Sequence, residues 1–217
     1  MRQAVREQIH IKAPKRILMR MLACLFLITT PAHASTNLDV SDATFNEAVR
    51  AVKDKDYQHA VRLFTLQAEA DQHDAQYNLA LLIKAGKGTP QNFQKALSWS
   101  WAASLGGIEA AVELAEELAD MIPEKIVEEA RETVAARLRQ RIENGDKQAV
   151  PQLAAYHLNI LEEEDYGQAY IWYAIAAAIG IDGSIAARDE VMDNVDDEEI
   201  IELQREAGTI FEGLSFD

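Results

Sequence analysis

The chain has almost no cysteine. Its single one, Cys24, lies within the first 34 residues, so residues 35–217 fold without a disulfide and carry no thiol chemistry. Long hydrophobic runs are missing too. The most apolar stretch, Met21 to Ile28, is far shorter than the roughly 20 residues that a membrane-spanning helix needs, so the chain is not expected to be an integral membrane protein. No segment alternates apolar and polar residues with a period of two, which argues against a fold built on sheets. Positive charge is scarce outside the first 34 residues. The full chain has 21 basic and 36 acidic residues; those 34 take 6 and 1, leaving 15 and 35, a net charge of −20. So acidic a surface repels nucleic acid and anionic lipid, both of which are held by clustered Lys and Arg. The excess acid either keeps an exported protein soluble or presents a face that attracts a basic partner.

Reaction motifs are lacking as well. His59, His73 and His157 are scattered, with no His-x-x-x-His pair and no flanking carboxylate motif, so no zinc site or general base is indicated. No serine sits in a Gly-x-Ser-x-Gly context. Gly86-Lys-Gly88-Thr has the letters of a shortened phosphate loop, but it follows a helical segment and lacks the upstream glycine spacing. The acidic run from Asp193 to Glu199 lacks the central glycine and ligand spacing of a calcium loop. It reads instead as a helix start, with Asp196 as the cap, Glu199 completing a capping box and Val195 stapled to Ile200. Glu162 to Asp165 reads as a solvated turn. No cofactor or metal is expected, and the chain is not expected to be an enzyme. A hydrolase would have to draw on Glu163, Asp165 and His157.

The first 34 residues have the layout of a secretory signal peptide. A lead containing Arg2, Arg6, Lys12, Lys15, Arg16 and Arg20 precedes the apolar run, and Ala32 and Ala34 follow it as small residues around a cut expected after Ala34. A mitochondrial presequence would be amphipathic where this run is apolar. Lipidation at Cys24 is disfavoured by the poor match of Met21-Leu22-Ala23 to a lipobox. Translation from Met19 or Met21 would shorten an unusually long basic lead. The expected location is the periplasm, and residues 35–40 read as a flexible lead-in.

What remains is helical and repetitive. Asp71, Gly107, Gly145 and Gly180 mark one recurring point, and they lie 36, 38 and 35 residues apart. A period in that range belongs to helical hairpins that bury their apolar faces only by stacking on neighbours. Five hairpins are expected: 41–53 with 57–70, 74–85 with 91–105, 109–120 with 123–143, 147–161 with 165–179, and 184–193 with 197–212. The second helices share a pattern. Ala60 and Ala96 are 36 apart, as are Leu63 and Trp99; Ala96 and Ala169 are 73 apart, as are Trp99 and Trp172. A large residue three positions after an alanine reads as a knob filling the groove to the next hairpin. Such tryptophans read as core rather than as sugar-stacking platforms.

Residues 75–111 resemble a Sel1-like repeat, a relative of the tetratricopeptide repeat. The resemblance rests on Ala75, Leu79, Ala80, Ile83, Gly86, Gly88, Asn92, Ala96, Trp99, Ala103, Gly107 and Ala111. Residues 149–184 match on their second helix, at Ala169, Trp172, Ala176, Ala177 and Gly180, but replace the Gly-x-Gly turn with Glu162 to Gly167. The third hairpin is degenerate. The resemblance implies an all-α, right-handed α/α solenoid over residues 41–217, protein–protein contacts and, with the leader, a place in a bacterial envelope. A binding face on the first helices would include Asn46, Arg50, Gln76, Asn78, Lys84, Gln152, His157 and Asn159. The partner would be another protein. The alternative role is that of a permanent subunit in an envelope machine, such as a flagellar motor or secretion apparatus.

Overall fold

The computed structural model describes residues 40–216, all within one compact unit, Asn37–Asp217. The leader expected at 1–34, with its cut, Cys24 and alternative starts, lies outside the described residues. So does the lead-in up to residue 39.

Ten α-helices make up the described residues, which contain no strand. They are α1 (Asp42–Lys53), α2 (Tyr57–Glu69), α3 (His73–Lys84), α4 (Phe93–Leu105), α5 (Ala110–Asp120), α6 (Glu124–Glu143), α7 (Ala149–Asn159), α8 (Tyr166–Ala178), α9 (Ser184–Met192) and α10 (Asp197–Glu212). The architecture is an all-α solenoid in the order expected from the sequence.

Local chemistry sets both ends of these helices. Three of the second helices start on a short polar side chain that accepts from the backbone N–H three residues on. These are Asp56 to His59, Asn92 to Lys95, and Asp165 to Gln168. The caps recur with the repeat, each four residues before Ala60, Ala96 or Ala169. α6 has Pro123 at that place and no side-chain cap, and Pro123 suits a helix start because its missing N–H leaves no bond unmade. Asp196 takes the cap position of α10 as expected, yet its carboxylate makes no capping bond. The expected box with Glu199 reduces to a backbone bond, Glu199 N–H to Asp196 O at 2.9 Å.

The four marker residues share one conformation. Asp71, Gly107, Gly145 and Gly180 have φ of 61°, 90°, 84° and 79°. Each closes a second helix with the paired 6→1 and 5→2 backbone bonds of a left-handed stop; at Gly107 these are Ile108 N–H to Ala103 O, 3.1 Å, and Gly107 N–H to Ser104 O, 2.9 Å. Three are glycine because a side chain is strained there. Asp71 is tolerated because its carboxylate is anchored, as described below.

A main spine of buried residues runs from Ala48 to Ala207 and includes Leu63, Phe64, Leu79, Leu97, Trp99, Leu118, Ile142, Leu153 and Ile171, and a smaller cluster gathers Ala169, Tyr170 and Val191. Burying each large aliphatic or aromatic side chain contributes about 1.5–3 kcal/mol before entropy is counted. Ala60, Ala75, Ala96, Ala103, Ala149, Ala169 and Ala176 are fully buried where helices approach closely. Trp172 is half-buried against the same spine. The knobs therefore point inward at both repeats.

Two pairs do not close as simple hairpins. α1 with α2, α3 with α4, and α7 with α8 pack tightly on each other. α5 instead packs chiefly on α4, while α6 packs on α4 and α7; α9 and α10 both pack chiefly on α8. The three pairs that close each have a side-chain cap on the second helix, whereas α6 and α10 have none.

Candidate functional site

The first-helix residues expected to form a binding face divide into two groups. Asn46 and Arg50 are exposed on α1, and Asn159 is exposed at the end of α7. Asn78 is half-buried and donates back to Asp74 O at 2.7 Å. Lys84 is half-buried and ion-paired with Glu117 on α5. The other three are corrections: Gln76, Gln152 and His157 are buried, with Gln76 at 0 % and His157 at 7 % exposure. They cannot present a surface.

Gln76 and Gln152 belong to an internal lock centred on Asp71. Arg141, near the end of α6, donates through Nη1 to Asp71 Oδ1 at 2.8 Å and to Gln152 Oε1 at 2.7 Å. Its Nη2 also pairs with Asp71, and Nε and Nη2 reach Asp146 Oδ2 at 2.9 and 2.7 Å. Gln76 Nε2 donates to Asp71 Oδ1 at 3.0 Å and to Ala68 O at 3.2 Å. A fully buried amide must be bonded in this way, or its desolvation is uncompensated. The lock joins the turn before α3 to the turn before α7, and it holds Asp71 in its left-handed conformation. Arg131, farther up α6, ties helices in the same manner, bonding Ile160 O at 3.1 Å and pairing with Glu124 and Glu128.

His157 differs. Neither ring nitrogen has a hydrogen-bond partner among the described residues, and Asp165 Oδ2 is 3.9 Å from Nδ1. Burial pushes its pKa below the ordinary value; the Asp165 charge opposes this and Arg139 adds to it. Asp165 Oδ1 caps α8, and Glu163 is exposed in the preceding turn. Among the described residues no group of three or more His, Cys, Asp or Glu side chains could hold a metal ion, and no helix is long and apolar enough to cross a membrane.

A groove of about 520 Å³ opens where α5 stands apart from the end of α7. Trp101, Leu105, Val112, Ala115 and Ile160 supply apolar walls, with Asn159 and Glu116 as polar members. Val112 is 47 % exposed. Of the residues expected to bind, Asn159 alone lies on this groove. Trp101 and Val112 were not singled out in the sequence because neither falls at a repeat position. The signal available was the loss of the repeat pattern in the third unit, which is where the stack opens.

No protein-family description matches the chain, and no curated protein matches it. Among solved structures it is similar to a protective antigen present in uropathogenic Escherichia coli strains, whose crystal structure displays an SLR fold. The two are 19 % identical with a TM-score of 0.34, over 71 % of this chain and 41 % of that one. The match thus spans less than half the length of the antigen.

Proposed function

We propose that the chain is an exported Sel1-like repeat scaffold that binds another protein in a bacterial envelope, taking an apolar side chain of its partner in the groove between α5 and α7. The observation that carries this reading is that groove, open and walled by apolar side chains of α4, α5 and α7. Stacked helices hold its walls in place, so little ordering of the scaffold opposes binding. A leader-type N-terminus and the resemblance of residues 75–111 support export and the family. The test is capture from envelope extract by the full chain carrying a C-terminal tag. We expect one reproducible partner, lost with Val112→Arg at unchanged melting temperature. Recovery of no partner across several salt concentrations would overturn the reading.

A second reading, a permanent subunit of an envelope machine, is favoured by the last hairpin. There Ile185 is 60 % and Ile201 62 % exposed, and Phe211 is exposed too, apolar surface that a permanent neighbour would cover. Size-exclusion of native extract separates the two: a subunit elutes in one large assembly, whereas an adaptor is mostly free.

A further inference from the structure

A second groove, of about 330 Å³, lies between α4 and α6 on the second helices. Its floor is Trp99, Ala102 and Val134, and its two cations are Lys95 and Arg137. The Arg137 guanidinium sits over the Trp99 ring, 3.9 Å from its centroid. It has no hydrogen-bond or ion-pair partner among the described residues, which is unusual for a half-buried arginine in a chain with 36 acidic and 21 basic residues. Arg131 and Arg141 on the same helix each hold two carboxylates.

The acids whose charge reaches Arg137 are Asp71 and Glu69, and neither lines the slot. Asp71 is held by Arg141 and Gln76, and Glu129 accepts from Gln94 at 3.2 Å. The polar groups lining the slot are also occupied. Asn92 caps α4, Ser98 donates to Gln94 O at 3.2 Å, and Thr133 donates to Glu129 O at 2.8 Å. What is left over is cationic: a stacked guanidinium with its N–H edge free, the geometry that receives a carboxylate through two parallel bonds.

The floor selects what accompanies that carboxylate. An apolar slot of this size takes one or two side chains. In an extended peptide, adjacent side chains point to opposite faces, so an internal acid can share a face only with an apolar residue two positions away, about 7 Å along the chain, too far apart for one compact slot. A chain-terminal apolar residue carries its carboxylate and its side chain on the same Cα. We infer that the α4–α6 groove binds the free C-terminus of a partner protein ending in an apolar residue, with the carboxylate on Arg137, aided by Lys95, and the side chain on Trp99, Ala102 and Val134. This rests on the scaffold reading but concerns a different face and a different partner chemistry.

The test is an NMR titration of the isotope-labelled full chain with Gly-Ser-Gly-Ser-Gly-Leu bearing a free carboxylate. The controls are the same peptide amidated and an amidated peptide with an internal Asp-x-Leu. The Trp99 indole resonance is expected to move and saturate at millimolar peptide with the free acid, and to stay put with the amidated hexapeptide. Arg137→Gln is expected to weaken binding about tenfold or more, Arg137→Lys less, and Lys95→Gln two- to threefold at about the scale of one exposed charge contact. No movement, equal movement by acid and amide, preference for the internal Asp-x-Leu peptide, or binding undiminished in folded Arg137→Gln would each overturn the inference. The peptide comparison on the unaltered protein needs no variant to fold. A failed peptide titration, with partner capture on the unaltered chain still lost in Val112→Arg, would leave the scaffold reading standing while this one falls.

Discussion

The second and third helical units differ in what holds their helices. In the second, Asn92 caps α4, and Gly86 and Gly88 turn the chain at φ of 65° and 78°. Gly88 also nests against the neighbouring turn: a Cβ there would lie 2.2 Å from Tyr57 O. α3 and α4 then pack face to face. The third unit turns through Met121, Ile122 and Pro123, has no side-chain cap, and sends α5 and α6 to different neighbours. Losing the motif did not unfold the unit. It relocated the helices, opened the groove beside Val112 and brought the arginines of α6 against the second unit and the turns. Repetition holds the stack together, and its interruption makes the surfaces.

That contrast can be broken at Gly88. Gly88→Ala is expected to cost about 3 kcal/mol or more, since left-handed strain of about 1 kcal/mol adds to a clash with backbone that cannot swing aside. Gly107→Ala, with φ of 90° and nothing within 4 Å of the added Cβ, is expected to cost about 1 kcal/mol. Denaturant melts of both read the difference; equal losses would mean that the turns do not stack tightly. The caps sharpen it further. Asn92→Ala is expected to cost about 1 kcal/mol, whereas Pro123→Ala, which removes no cap, is expected to stay within about 0.5 kcal/mol.

The smallest effect belongs to a unit outside the contrast. His157 is buried with both nitrogens unbonded, so its folded pKa lies below the ordinary value of 6.5. Its contribution is therefore complete above that value. As pH falls through 6.5 the unfolded chain takes up a proton that the folded chain resists, and stability is lost. Melting temperature is expected to drop from pH 7 to 5.5, and His157→Leu is expected to flatten that drop while leaving stability at pH 7 equal or higher by about 1 kcal/mol. An unchanged slope would show that the ring is solvated.

The fold was legible because it is written locally. Helix boundaries fell within two residues of expectation at most ends, and the four turn markers share one backbone conformation, since caps, left-handed stops and apolar spacing act within a few residues. The surroundings of the residues expected to bind were less legible. Gln76 and Gln152 look like surface amides in sequence, but their burial depends on Asp71 and Arg141, which lie 70 residues apart. The cluster of Arg137, Arg139 and Arg141 in so acidic a chain was the available hint of α6's importance.

By itself the sequence determined that these helices form and where they stop, because those choices are settled by neighbours along the chain. Only the tertiary structure decided where the stack parts and which charges find partners. Those outcomes turn on how distant helices share a limited apolar surface, and the third unit's share fell to α4 and α7.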